Sequence, residues 1–199
     1  PDGIIEERPD GAPWMTEEQN EAIFENVKRG MGLLPYHCSI WNPERKKYME
    51  LIGVKKPIMH GLIRQMTSFY DMNQNHPITR GVEPFEEVDE IFDAEMLDVE
   101  YELLFRVKQD FPKTDKPQTI VNYYPELLEM SKVGAVLDRA GGWTREVGEG
   151  RVVYLNCGST NEVFWSKSMK EIMWRSAHWA MKKDIPPSGL IGGWHKDRE

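Results

Sequence analysis

The chain has 199 residues, 40% of them apolar, with seven Trp, seven Tyr, seven Phe and a net charge of −8. This is the length and apolar content of one domain with a sizeable core. The acidic balance, without a dense Lys/Arg cluster, excludes a surface that tracks nucleic-acid phosphates, and no apolar run approaches the ~18 residues of a membrane span. Cys38 and Cys157 make no disulfide framework and fit a reducing compartment, so a cytoplasmic location is expected.

In chain order, Gly3 to Glu6 reads as a short strand and Pro9 to Pro13 as a loop. Thr16 and Gln19 form a capping box ahead of an apolar stripe, Ala22, Ile23, Phe24 and Val27, and Gly30 ends that helix. Leu33 to Tyr36 is too short for a helix and reads as a buried strand of a parallel sheet, stopping at His37-Cys38-Ser39. Asn42 and Pro43 then open a helix with Tyr48, Leu51 and Ile52 on one face and Gly53 at its end. In open α/β sheets, ligands lie beyond the carboxyl ends of the strands. The His-Cys-Ser triplet is therefore where chemistry is expected.

Val54 to Tyr70 has no clean period, and Asn73 to Gly81 reads as a loop. Phe85 to Phe92 alternates loosely around Asp89-Glu90, and Gln118 to Tyr124 reads as a strand. The 125–140 stretch fits a helix or a loop and strand equally. Trp143 to Val147 and Arg151 to Leu155 form a hairpin across Gly148-Glu149-Gly150, followed by a second turn at Asn156 to Ser159. Ser166 or Ser168 caps a last helix whose face is Met169, Ile172, Met173, Ser176 and Ala180. The alternation of elements makes the class α/β: one domain over 1–184 and a Pro/Gly-rich tail over 185–199. Few strands precede Gly30, so the chain is expected to begin part-way into its fold, without an opening strand-helix-strand unit.

Three groups carry candidate chemistry. His37 suits an acid, base or metal ligand and Cys38 a nucleophile. A nucleophile elbow has glycines two residues to either side, where this chain has Tyr36 and Ile40, which favours His37. His60 is a second imidazole in a loop-like stretch; His76 and His178 fit turn chemistry and packing. Strand alternation at Asp89-Glu90 would turn one carboxylate inward and one outward, leaving one for acid–base work. Gly158-Ser159-Thr160 could supply backbone N–H groups to an anion.

Several blocks, in order, resemble the ThuA-like (trehalose utilisation) family. Met31-Gly32-Leu33-Leu34 through His37-Cys38-Ser39 resembles its GGGLVxLHS strand, and Leu51-Ile52-Gly53 with His60 its L(L/I)GG…H segment. Asn75 to Gly81 resembles HPI(T/V)xG, Phe85 to Glu95 the acidic F…DE(L/M)YDAE block, and Trp143 to Tyr154 WTREYGKGRVFY. Trp174 with Trp179-Ala180 resembles the closing helix. The resemblance implies a flavodoxin-like, doubly wound, mostly parallel sheet with helices on both faces, related to class I glutamine amidotransferases but generally without their Cys-His pair. It implies a role in sugar metabolism, including pathways through 3-keto sugars. Imidazole and carboxylate at the sheet edge suit acid–base, metal-assisted isomerisation, epimerisation or elimination of a keto-glycoside or disaccharide derivative. A non-catalytic carbohydrate-binding or assembly module, or a Cys38-dependent amidase or hydrolase, are the alternatives. Carried over position by position, the resemblance makes His37, His60, Asp89 and Glu90 the candidate site; Cys38 joins them as a catalytic candidate, and Ser39, Trp143, Gly158 and Ser159 are expected to bind substrate. Its two imidazoles, His37 and His60, with a carboxylate suit a divalent metal such as zinc. The expected partner is a small-molecule carbohydrate; a homo-oligomer is left open. The chain departs from the family where Ser159 stands for a frequent His and Cys38 for a frequent Ser.

Overall fold

The structure is a computed structural model describing residues 15–189, apart from 63, 112, 114–128 and 131; the side chains of Met59 and His60 also lie outside the described set. The strands expected at Gly3–Glu6 and Gln118–Tyr124 fall outside it. Helix α1 (Glu17–Lys28) is capped as its sequence requires: the Gln19 N–H donates to Thr16 Oγ1 at 3.3 Å and the Thr16 N–H to Gln19 Oε1 at 2.8 Å. It closes with the Gly30 N–H on the Val27 carbonyl and the Met31 N–H on that of Asn26, a geometry that the positive φ of Gly30 permits.

Strand β1 (Gly32–Leu33) follows, then a 3-10 turn at His37–Ile40 and helix α2 (Lys46–Ile52). Helix α2 starts at Lys46 rather than Pro43, because the Arg45 N–H closes a turn on the Asn42 carbonyl; it ends at Gly53 as expected. Strands β2 (Val54–His60), β3 (Gln65–Tyr70), β4 (Phe85–Asp89), β5 (Phe92–Met96), β6 (Glu102–Phe111), β7 (Ala135–Val147) and β8 (Gly150–Leu155) come next. Helices α3 (Asn161–Trp165) and α4 (Lys167–Ala180) complete the described chain, the latter capped by Ser166.

Six strands form one sheet in the order β1-β8-β7-β6-β3-β4, and β2 pairs with β5 in a second. The protein is α/β, but the doubly wound, mostly parallel sheet is not what these residues build. Among the described residues only β1 runs parallel to its neighbour, β8; the other ladders are antiparallel. Parallel neighbours need a long crossover, whereas β7 and β8 are joined by the two-residue turn Gly148-Glu149. Helices cover both faces around β8. Val152, Tyr154 and Trp143 pack with Leu51, Ile52 and Val27 of α1 and α2 on one side. Val153 and Leu155 pack with Met169 and Ile172 of α4 on the other.

The sheet is curled. Four strand spacings separate β8 from β4, ~19 Å if flat, yet the carboxylate ending β4 accepts hydrogen bonds at 2.9–3.2 Å from the turn after β8. Buried Gln109 of β6 holds the inside of the curl, donating to the Leu62 and Asp89 carbonyls and Thr67 Oγ1 while accepting the Leu62 N–H. Asn156 ties the second sheet to the first. Its Oδ1 accepts the Phe92 N–H at 2.8 Å, and its Nδ2 donates to the Phe92 and Ala140 carbonyls at 2.8 and 3.0 Å. Asn156→Leu deletes these bonds and strands buried polar groups of Phe92. The expected loss of unfolding free energy is about 3–4 kcal/mol by urea denaturation; a loss below about 1 kcal/mol would show that the two sheets are joined by other contacts.

Candidate functional site

The turn after β1 presents His37 with φ +46, in the left-handed region that costs a non-glycine residue about 1–3 kcal/mol. Two contacts hold it there. The fully buried Tyr154 donates its hydroxyl to the His37 carbonyl at 2.8 Å, and the Phe92 ring packs on the imidazole with centroids 4.5 Å apart. Phe92 is in turn fixed by Asn156. Strand β8 and the second sheet thus set the position of one imidazole.

Its two nitrogens face different groups. Nε2 lies 3.6 Å from Glu90 Oε2, with both side chains buried, and Nδ1 lies 2.9 Å from Cys38 Sγ. Ser159 Oγ donates to Glu90 Oε2 at 3.0 Å. A carboxylate beside Nε2 favours a proton on that nitrogen, which leaves the Nδ1 lone pair on the Cys38 side. A cleft of about 530 Å³ opens there, lined by His37, Cys38, Ser39, Ser159, Thr160 and Asn161 among others. Glu90 is 5% exposed and lies against the imidazole.

Asp89 does different work. It is 0% exposed, and its carboxylate accepts the N–H groups of Gly158 and Ser159 at 2.9 Å and of Thr160 at 3.2 Å. The Thr160 hydroxyl returns a bond to the Val88 carbonyl. The anion expected at Gly158-Ser159-Thr160 is therefore the chain's own. Burial pushes Asp89 up to about 6, against the downward pull of these N–H groups and that of Glu90. Both carboxylates are buried because the strand breaks between them: β4 ends at Asp89 and β5 starts at Phe92. Strand alternation does not apply across that break, which corrects the expectation of one inward and one outward group.

The structure brings together His37, Cys38, Ser39, Glu90, Gly158 and Ser159, with Asp89 beneath the turn. Trp143 is elsewhere. It is 2% exposed in the core, stacked on Tyr154 with its Nε1 donating to the Ile52 carbonyl at 2.8 Å, and offers no face to a sugar. The backbone of His60 pairs with Phe92 at the end of β2; its side chain lies outside the described set. Burial pushes Cys157 well up, and it packs on Met169. Tyr154 and Asn156 were not among the expected site residues. Their only sequence signal is a buried strand closing on a polar amide.

A family model described as ThuA, trehalose utilisation, matches residues 9–180. The chain belongs to this family. No functionally curated protein matches it. Among solved structures, a thua-like protein of Bacteroides uniformis is similar at 17% identity with a TM-score of 0.59, covering 87% of this chain and 67% of its own. One of Parabacteroides merdae is similar at 14% identity and a TM-score of 0.60, covering 88% and 70%. A cytoplasmic protein of Salmonella typhimurium reaches 13% identity and a TM-score of 0.50, over 82% and 60%. At these identities the likeness is one of fold. No helix among the described residues is long and apolar enough to cross a membrane.

The metal expected from the ThuA resemblance rests on His37 and His60, and the His60 side chain lies outside the described residues. Among the described residues no group of three or more His, Cys, Asp and Glu side chains could hold an ion. Asp89 is committed to three backbone N–H groups. No step below runs through a metal.

Asp89 gives the ThuA-family chain a pH signature. A carboxyl raised in the folded state contributes stability that is present below its ordinary value of 3.8 and is lost as pH rises through about 6. In Asp89→Asn that slope is absent. The gap in unfolding free energy between wild type and Asp89→Asn is expected to be largest at pH 4 and to shrink by about 3 kcal/mol by pH 7. Urea denaturation of both proteins across that range checks it, and a gap that widens with pH would reverse the assignment.

Proposed function

We propose that the protein acts on a sugar carrying a carbonyl, such as a keto-glycoside, by proton transfer at His37. The family's description, trehalose utilisation, supports a role in sugar metabolism. The observation that carries the chemistry is the buried contact of His37 with Glu90 at 3.6 Å, on an imidazole that lines the cleft. A proton on the carbon next to the carbonyl passes to Nδ1, and the C–H bonding pair becomes that of an enolate. If the hydroxyl proton of that carbon passes to the former carbonyl oxygen, return of the Nδ1 proton to the former carbonyl carbon completes an isomerisation. If instead the enolate pair expels a β-oxygen, which takes the Nδ1 proton as it leaves, the result is an elimination. Glu90 acts through His37 by fixing its tautomer and offsetting the charge it gains, and Ser159 orients Glu90. The protein is further proposed to work in the cytoplasm, without nucleic acid or membrane as partner, as one domain ending near residue 184.

A methyl 3-keto-glucoside incubated in D₂O and followed by proton NMR tests this reading. Wild type should wash out the protons flanking the carbonyl, and His37→Gln should slow the exchange by about 100-fold or more. Glu90→Gln should slow it by about tenfold. Exchange no faster than in buffer would remove the reading and favour a carbohydrate-binding module.

The 2.9 Å approach of Cys38 Sγ to His37 Nδ1 favours a second reading, a thiol nucleophile activated by that imidazole. The two part at exchange and labelling. Cys38→Ser should keep deuterium exchange within about twofold if His37 is the base. A thiol nucleophile instead predicts no exchange above buffer and fast labelling of Cys38 by a thiol-reactive probe at neutral pH.

A further inference from the structure

The cleft is polar at its floor and apolar beside it. His37, Ser39 and Thr160 are only 4%, 6% and 4% exposed, while the flank is built from Ile23, Leu33, Leu34, Pro35, Tyr36 and Phe164. Tyr36 keeps 39% of its surface in solvent. Its ring meets that of Phe164 edge to face, with centroids 6.0 Å apart and planes at 84°. Both rings rest on Gly158, where a Cβ would come 2.9 Å from Phe164 Cζ and 3.0 Å from Tyr36 Cδ2. The aromatic corner is thus seated on the turn that presents Ser159 to Glu90, and Tyr36 is the residue before His37.

Resting on the acid–base reading of His37, we infer that this corner is a subsite for a planar apolar aglycone attached to the sugar held at His37. A second sugar ring would bring several hydroxyls against a wall of aliphatic and aromatic carbon, where each would lose water without gaining a partner. An aryl group has no such requirement and can stack or stand edge-on to either ring. The cleft volume of about 530 Å³ lies within the range of ~300–1,000 Å³ that encloses ligands of this size.

The test is calorimetric titration of the full chain with phenyl glucoside, methyl glucoside and trehalose. Phenyl glucoside is expected to bind about tenfold tighter than methyl glucoside. Tyr36→Ala and Phe164→Ala should each reduce that ratio to about threefold or less, while Tyr36→Phe, which keeps the ring, preserves it; thermal melts show which variants are folded. Equal affinity for the phenyl and methyl glucosides overturns the subsite. So does trehalose binding tighter than phenyl glucoside with the advantage lost in Tyr36→Ala, which would make the occupant a second sugar. Deuterium exchange on methyl 3-keto-glucoside needs no aglycone contact. Exchange with a phenyl-to-methyl ratio of one therefore removes the subsite alone, and the ratio without exchange removes the acid–base reading alone.

Discussion

The rest of the site depends on the carboxylate of Asp89, buried among the N–H groups of Gly158, Ser159 and Thr160. Taking a carboxylate out of water costs several kcal/mol, and charge-assisted bonds from a fixed set of donors are what offset it. The two halves of this contact come from strands at positions two and six of the sheet. They can meet only if the sheet curls, and the curl in turn brings the segment after β4 beside the segment after β8. Glu90 follows directly on Asp89, and Ser159 is itself one of its N–H donors. The Ser159–Glu90 hydrogen bond is a consequence of the Asp89 closure.

A second line of constraint reaches His37 from below. Alternation along β8 sends Val153 and Leu155 to one face and Val152 and Tyr154 to the other, and the Tyr154 hydroxyl arrives at the carbonyl of a residue in the left-handed region. The strand then ends on Asn156, whose amide grips the Phe92 backbone while the Phe92 ring covers the imidazole. Backbone strain at a non-glycine residue persists only where its surroundings over-determine it. Here a hydroxyl, a ring and an amide from two sheets do so together.

Local rules in the sequence read well where they concern a single element. The Thr16–Gln19 box, the Gly30 and Gly53 stops, the hairpin across Gly148-Glu149 and the cap at Ser166 all form as their residues require. Strand β2 was hidden because Lys55, Lys56 and Pro57 interrupt any period; a proline is tolerated there since β2 has one partner, β5, and bulges against it. The parallel, doubly wound sheet fails beyond β1 and β8 because pairing direction is decided by which strands meet in space, and the composition of β6 and β7 is silent on that. In the site, His37 is legible from its place at a strand end, whereas Trp143 is not: an indole is as much a core ring as a sugar platform, and a carbonyl within reach of its N–H makes it the former.

Asp89 and Glu90 show why residue type alone does not assign a role. They are adjacent, acidic and buried, yet their environments divide the work between them. Asp89 is saturated by backbone donors that cannot move without unwinding the turn, so it serves the fold. Glu90 accepts the Ser159 hydroxyl and lies beside His37, an imidazole whose charge can change. A carboxylate whose partner can gain a proton responds to chemistry in the cleft; one held by fixed dipoles does not. The break between β4 and β5 makes this division possible, because a continuous strand would have turned one of the two away.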